Sequence, residues 1–369
     1  MTPRLLALEP YYGGSHRSVL DGLLARLPWE HDLLTLPARK WKWRMAGSAM
    51  TLADEVLALH ERGVRWDAIL ASTFVDLPAF LGLAREAVCT TPAAVYFHEN
   101  QLAYPNRYER DWDFQYPLAN VRTALAADIC VFNSAYNRDS FLDELPSFLG
   151  RFPDHLPQGV ARRVRERSTV LPPPFDAAAI DAAPLVRGEV PRVVWPHRWD
   201  HDKDPEAFFA AAETLAGEGL AFEVAVAGQA HDDVREAFEA RAGRLGERLV
   251  VLGGLESRES YAALLRSCDV AVSTANHEFF GLAMAEAGYA GCFPLVPDRL
   301  AYLEVYPERF RYGSPDELVG RLRGLLTDSR PKPGEAREVG ERYTFDALMP
   351  SYRAIFDGLA EGRVADLLA

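Results

Sequence analysis

Short aliphatic runs alternate along the chain with stretches whose apolar positions recur at helical spacing. In the first half, residues 4–8, 32–36, 68–71, 93–97 and 129–132 predict buried strands, and residues 15–27, 51–62 and 138–145 predict helices between them. A second series follows, with strands expected at 192–195, 222–227, 249–252, 270–273 and 293–296. Near-continuous apolar strands joined by helices imply parallel sheets covered on both faces. The expected fold class is therefore α/β, with two doubly wound, Rossmann-like domains and a cleft between them.

Between the two series lie Pro153, Pro157, a basic run at Arg162, Arg163, Arg165 and Arg167, and then Pro172, Pro173 and Pro174. Proline triplets cannot continue a helix, so this stretch reads as a linker, with the boundary between about Pro174 and Arg192. The expected domains are 1–180, 181–342 and a final segment, 343–369. That last segment has helical spacing from Phe345 to Leu368 and no strand after it, so it is expected to pack back toward the N-terminal domain.

Composition supports this picture: 369 residues exceed one comfortable core, and 49% hydrophobic with 25% charged residues suits a globular chain. The longest apolar runs fall short of the roughly 20 residues a membrane span needs, and the first run is too short for a signal peptide. No membrane partner is expected, and the cytoplasm is the default location. Cys89, Cys130, Cys268 and Cys292 form no CxxC pair, so buried reduced thiols are expected rather than a zinc or disulfide framework. The net charge of −13 repels a polyanion at long range, so contact with nucleic acid requires a local basic patch.

The candidate chemistry gathers where strands end. After the strand near Val272 a helix is expected to begin at Gly281, and open α/β sheets bind ligands at that edge. A helix N-terminus offers N–H groups and partial positive charge to a diphosphate, with Gly281 expected to allow its close approach. Glu278 is placed to accept hydrogen bonds from sugar hydroxyls, and Glu286, about two helical turns along, can reach a ribose diol. Taken singly, Glu278 suits a dipole partner and Glu286 a solvated helix residue; together with Phe279, Phe280 and Gly281 they suit a donor site. After the strand near Trp195, Arg198 and Lys203 share one loop and can neutralise a departing diphosphate without a metal. Asp200, Asp202 and Asp204 invite a magnesium reading, but His201 and Lys203 oppose a cation, and Asp204 before Pro205 suits a helix cap.

His98, Asn100 and Gln101 follow another strand, where clustered polar side chains are hard to bury without a ligand. Gly13 and Gly14, between the first strand and its helix, would admit backbone amides to a ligand. Arg39, Lys40, Trp41, Lys42, Trp43 and Arg44 interleave cations with aromatic rings, as where bases stack and phosphates are neutralised. Arg107 belongs to a second such cluster with Tyr108, Arg110 and Trp112. The competing reading makes Trp41 and Trp43 core residues with solvated cations beside them.

The segment from Glu278 to Glu286 resembles the E-x7-E motif of retaining GT-B glycosyltransferases. The runs EPYYGGSH, PARKWKWR, FHENQLAYP, FNSAYN and WPHRW are more closely similar to the tRNA-queuosine mannosyltransferase family, over about residues 4–310. The resemblance implies a GT-B fold and transfer of mannose from GDP-mannose to queuosine in a tRNA anticodon loop. It also implies that Arg198 and Lys203 hold the donor phosphates, Glu278 and the backbone of Phe279 to Gly281 the sugar, and Glu286 the ribose, with His98 beside the transferred sugar. No cofactor is implied beyond the nucleotide-sugar, and no metal. Three other readings stay open at this point: a different donor or acceptor, a nucleotide-sugar epimerase or hydrolase, and a non-catalytic RNA-binding protein.

Overall fold

The computed structural model describes residues 2–104, 113–228, 235–328 and 330–364. The chain divides into two compact units, Met1–Pro174 with Leu348–Ala369, and Phe175–Ala347.

The first unit contains six parallel strands: β1 (Arg4–Tyr12), β2 (Glu30–Pro37), β3 (Ala68–Ser72), β4 (Ala93–Phe97), β5 (Ile129–Phe132) and β6 (Ser168–Val170). Their order in the sheet is β2-β1-β3-β4-β5-β6. Leu5, Leu6, Ala7 and Leu8 are all buried, as a parallel strand covered on both faces requires. Phe97, Phe132 and Phe141 form the aromatic centre of the core, with the first two rings stacked at 4.3 Å.

Three helices of this unit position the residues discussed below: α1 (Gly14–Arg26), α2 (Trp41–Glu61) and α3 (Ala135–Leu149). Helix α2 starts ten residues before the expected position. Gly47 and Ser48, residue types of low helix propensity, are both buried within the helix, and a Cβ on Gly47 would lie 2.8 Å from the Trp43 ring. Arg162, Arg163 and Arg165 of the basic run expected in a linker lie instead on a short helix, α4 (Val160–Arg165), while Arg167 follows it and donates to the Leu125 and Ala127 carbonyls. Val160 and Val164 stand four residues apart and are both buried, which anchors one face while the arginines point outward. Strand β6 follows it and was not expected, because Ser168, Thr169 and Val170 carry no apolar run.

The second unit repeats the architecture with β7 (Arg192–Trp195), β8 (Glu223–Ala227), β9 (Leu249–Gly253), β10 (Val270–Val272), β11 (Phe293–Pro297) and β12 (Arg311–Tyr312), in the order β12-β11-β10-β7-β8-β9. Every recorded pairing in both sheets is parallel. The two-residue β12 is too short to be read from a pattern. Helices α5 (Pro205–Gly217), α6 (Arg258–Ser267) and α7 (Leu282–Ala290) cover the sheet. In each sheet the first strand has later strands on both sides, β2 and β3 beside β1, β8 and β10 beside β7. The chain therefore leaves in opposite directions and opens a crevice at the carboxyl ends of those strands.

The last helix, α8 (Phe345–Ala360), contains the division at Ala347 and Leu348. From Leu348 onward it packs within the first unit: the Phe356 ring meets Trp29, Trp29 Nε1 donates to Asp357 at 3.3 Å, and the Tyr352 hydroxyl donates to the Pro172 carbonyl at 2.9 Å. All four cysteines are free, and Cys130, Cys268 and Cys292 are buried. Cys89 departs from expectation and is exposed, because it closes the short surface helix Arg85–Val88. None of the described helices is long and apolar enough to cross a membrane.

Phe356 is 1% exposed, so Phe356→Ala should destabilise the first unit by about 3–5 kcal/mol. Hydrogen exchange should then accelerate at Val19 to Leu24 and along α8, with protection of β7 and β10 unchanged.

Candidate active site

The carboxyl ends of β7 and β10 carry the two loops that hold most of the expected donor residues, and buried hydrogen bonds join them. The Thr274 hydroxyl lies 2.8 Å from the carbonyl oxygens of both Lys203 and Asp204, which share its one proton, and accepts from Trp195 Nε1 at 3.0 Å. The amides of Asn276 and His277 donate to the Asp202 carbonyl at 2.7 and 3.1 Å. Asp204 adopts φ 48° and caps α5 by accepting from the Ala207 amide, as expected. Gly228 is required for a packing reason: a Cβ there would lie 1.9 Å from the His197 carbonyl oxygen.

Lys203 is the centre of this arrangement. Its ammonium donates to the His277 carbonyl at 2.9 Å and faces Asp202 Oδ2 at 3.1 Å and Glu278 Oε2 at 3.2 Å. All three ammonium protons therefore have acceptors, so Lys203, expected to face donor phosphate, here holds two carboxylates. Burial alone would disfavour both charges, yet the attraction prevails: Lys203 is raised above its ordinary value and Glu278 is lowered to about 2. The other Glu278 oxygen accepts from the amides of Phe279 and Phe280 at 3.1 and 3.4 Å. Burial and the nearby Lys203 charge lower His197 to about 3 and His277 to about 4. His197 Nε2 is buried without a hydrogen-bond partner among the described residues.

Helix α7 begins as expected, with Gly281 as its N-cap. The reason for glycine differs from the expected one. Gly281 has φ 87°, and a Cβ there would lie 2.6 Å from the Tyr302 ring, so local backbone and packing demand it whether or not a phosphate approaches. Glu286 is 7% exposed, which rules out a solvated helix position, and accepts from Arg258 Nη2 at 2.8 Å. Burial raises its pKa, against the pull of Arg258. Arg198 is the more open cation, with 57% of its side chain exposed and Asp200 Oδ2 at 3.6 Å.

In the first unit, His98 follows β4. Its carbonyl accepts from Asn133 Nδ2 at 2.7 Å, and its ring meets those of His16 and Tyr96, with centroids 3.9 and 4.6 Å away. Asn100, expected to face an acceptor, is fully buried: its amide donates to Asn137 and Ser140, and its carbonyl oxygen accepts from the Ala103 amide. It shapes the His98 loop instead. Gln101 donates to Glu99 at 3.2 Å. Gly13 is extended, and a Cβ there would lie 2.6 Å from that of Ala38, so packing rather than a ligand accounts for it; Gly14 has φ 54°.

Arg39, Lys40, Trp41, Lys42 and Trp43 are exposed around the start of α2, with Lys40 at φ 57° as its N-cap. Trp43 is 59% exposed, which overturns the core reading of that ring. Trp41 leans on Tyr116, and the Lys42 ammonium lies within 6 Å of both rings. Arg44 is half-buried and donates to the Pro37 carbonyl. Arg107 lies outside the described residues.

Residues 4–175 match the family model described as tRNA-queuosine alpha-mannosyltransferase N-terminal, and residues 177–342 match glycosyl transferases group 1. A Drosophila melanogaster protein named tRNA-queuosine alpha-mannosyltransferase is 34% identical over 371 residues, covering 96% of this chain and 97% of the relative. The chain belongs to the tRNA-queuosine alpha-mannosyltransferase family. It is a glycosyltransferase. Its fold is similar to sucrose-phosphate synthase from Thermosynechococcus elongatus (TM-score 0.70, 15% identity, 98% and 100% of the two chains). It is also similar to the trehalose-6-phosphate synthase OtsA (TM-score 0.71, 15% identity, 98% and 99%). These likenesses establish the two Rossmann-like domains of the GT-B class.

Within this mannosyltransferase-family chain, five candidate residues were not singled out from sequence. Arg258 carries no motif, and only the fold brings it to Glu286. Asn133 and Asn137 stand in the FNSAYN run, whose polar residues directly after a strand were the available signal. Glu9 and His16 flank the two glycines, and a carboxylate ending an apolar strand was likewise visible.

Lys203→Ala should leave Asp202 and Glu278 without their counter-ion and cost about 3–5 kcal/mol, read by denaturant unfolding. The pH dependence has a definite sign. Since the folded state lowers Glu278 to about 2, its contribution is complete above its unfolded pKa and lost as pH falls toward 2. His197 and His277 are lowered as well, so stability should already decline below about pH 6.5, where unfolded imidazoles take up protons.

Proposed function

We propose that this family member transfers mannose from GDP-mannose to the diol of queuosine in a tRNA anticodon loop, with retention of configuration and without a metal or other cofactor. The carrying observation is the Lys203–Glu278 ion pair between the loops after β7 and β10, next to the start of α7. These two opposite charges, which satisfy each other here, are also the two groups a nucleotide-sugar needs. On donor binding Lys203 exchanges Glu278 for a phosphate oxygen, and Glu278 turns to sugar hydroxyls. Arg198 and the α7 N-terminus add positive potential at the leaving diphosphate. Glu286 takes the ribose diol.

The bond from the sugar C1 to the diphosphate breaks, and one from C1 to the acceptor oxygen forms on the same face. The acceptor proton passes to an oxygen of the departing diphosphate, so no protein nucleophile is needed. His98 makes a hydrogen bond to a hydroxyl of the transferred sugar. The exposed rings and cations at the start of α2 support the RNA part of the reading: bases can stack on Trp43 while Arg39, Lys40 and Lys42 meet phosphates. That local patch acts at contact range, where the chain's net negative charge is largely screened. The relative's name supports both acceptor and sugar.

Queuosine-containing and queuosine-lacking tRNA should be incubated with GDP-mannose or UDP-glucose, and the nucleosides weighed by mass spectrometry. One hexose should be gained only by queuosine tRNA with GDP-mannose; no gain with any donor refutes the assignment. Lys203→Ala should lower kcat/KM by about 100-fold or more. Trp43→Ala should weaken tRNA binding by about 1–3 kcal/mol, and Lys42→Ala should reduce the salt dependence of binding by about one charge.

A further inference from the structure

Glu9 ends the apolar stretch of β1, beside β3, where the strand order of the first sheet reverses. It is 2% exposed, and a carboxylate so buried must be fully hydrogen-bonded. Its Oε1 accepts from the Tyr11 amide at 2.9 Å and the Ser72 hydroxyl at 3.0 Å, and its Oε2 faces His16 Nδ1 at 3.1 Å. With the Glu9 oxygen as acceptor the proton of His16 lies on Nδ1, which fixes the ring's tautomer and orientation.

The His16 ring in turn lies against His98, with centroids 3.9 Å apart and planes inclined by 31°. The Tyr96 ring meets His98 edge-on at 4.6 Å. One donor atom from each of Glu9, His16 and His98 lies within 4.8 Å of the others, as a metal site would require. Two imidazoles bound to one zinc at 2.0–2.1 Å, however, would stand with centroids about 5 Å apart. The observed approach is that of two tilted rings in direct contact, and the 3.1 Å contact is that of a hydrogen bond.

We propose that Glu9 and His16 are positioning residues for His98: the carboxylate locks the His16 ring, and that ring sets the plane and protonation state of His98. The inference rests on the reading of His98 as a sugar-contacting group. The groups packed around His98 are Glu9 on β1, His16 on α1, Tyr96 on β4 and Tyr352 on α8, which line one pocket or touch the ring. Burial raises both tyrosines, so they stay neutral. The His16 Nδ1 proton is held by Glu9, and a charge on the His98 ring would have to form away from water, with the His16 ring only 3.9 Å off. His98 is accordingly lowered, by burial first and by His16 second. A neutral imidazole can both donate to and accept from sugar hydroxyls, whereas an imidazolium can only donate.

The test is histidine-selective 15N NMR of the full chain over pH 5–8, with transfer kinetics on wild type, Glu9→Gln, His16→Ala, His16→Phe and His98→Ala. In wild type the His98 ring nitrogens should report one neutral tautomer throughout. In Glu9→Gln and His16→Ala the His98 titration should move up toward the ordinary imidazole range, with mixed tautomers. Their kcat should fall about 10-fold or more, with KM for GDP-mannose within twofold. His16→Phe keeps a flat ring and should recover part of kcat. Unchanged His98 resonances in Glu9→Gln and His16→Ala overturn the proposal. Altered resonances combined with a fully active His98→Ala uphold the positioning and refute the sugar contact instead. If Glu9→Gln or His16→Ala does not fold, Ser72→Ala removes one Glu9 donor and should produce the same NMR change in smaller measure; no change there counts against the proposal.

Discussion

The second unit is organised around one buried charge. Two carboxylates, Asp202 and Glu278, face the Lys203 ammonium from loops that follow different strands, and Thr274, Asn276 and His277 tie the same loops by hydrogen bonds. Desolvation would make any of these ions unfavourable alone, so each fixes the others. Glu278 in turn accepts from the amides leading into α7, which carries Glu286. The position of one ammonium thus determines where the sugar-facing carboxylate stands and how the next helix begins.

The first unit solves a similar problem without a cation of that kind. Its buried carboxylate is satisfied by an amide, a hydroxyl and an imidazole, and its polar loop is held by asparagines: Asn133 to the His98 carbonyl, Asn137 to the Phe97 carbonyl, and Asn100 to Asn137. Glu9 on β1 and the Lys203 loop after β7 both lie where the strand order reverses, whereas the asparagines join the loops of the neighbouring strands β4 and β5.

Much of the fold was legible in sequence, since buried parallel strands are apolar on both faces and all five expected strands of each series are present. The exceptions have local causes: β6 and β12 are short and mixed in character, and α4 shows its amphipathicity only through Val160 and Val164. The site was legible as a set of residue types but not as a set of partners. Gly13 and Gly281 looked like clearance for a ligand, whereas Ala38 and Tyr302 occupy the space beside them. Asn100 looked available and is consumed by the protein. Arg258 stands 28 positions from Glu286, and no spacing rule anticipates that pair.

Of the four thiols, Cys89 alone is exposed, at the end of a surface helix, while the other three sit in the cores. Buried thiols react slowly with alkylating reagents and exposed ones readily. The native chain therefore carries its own attachment point for a fluorophore or spin label on the first unit, with no engineered cysteine required.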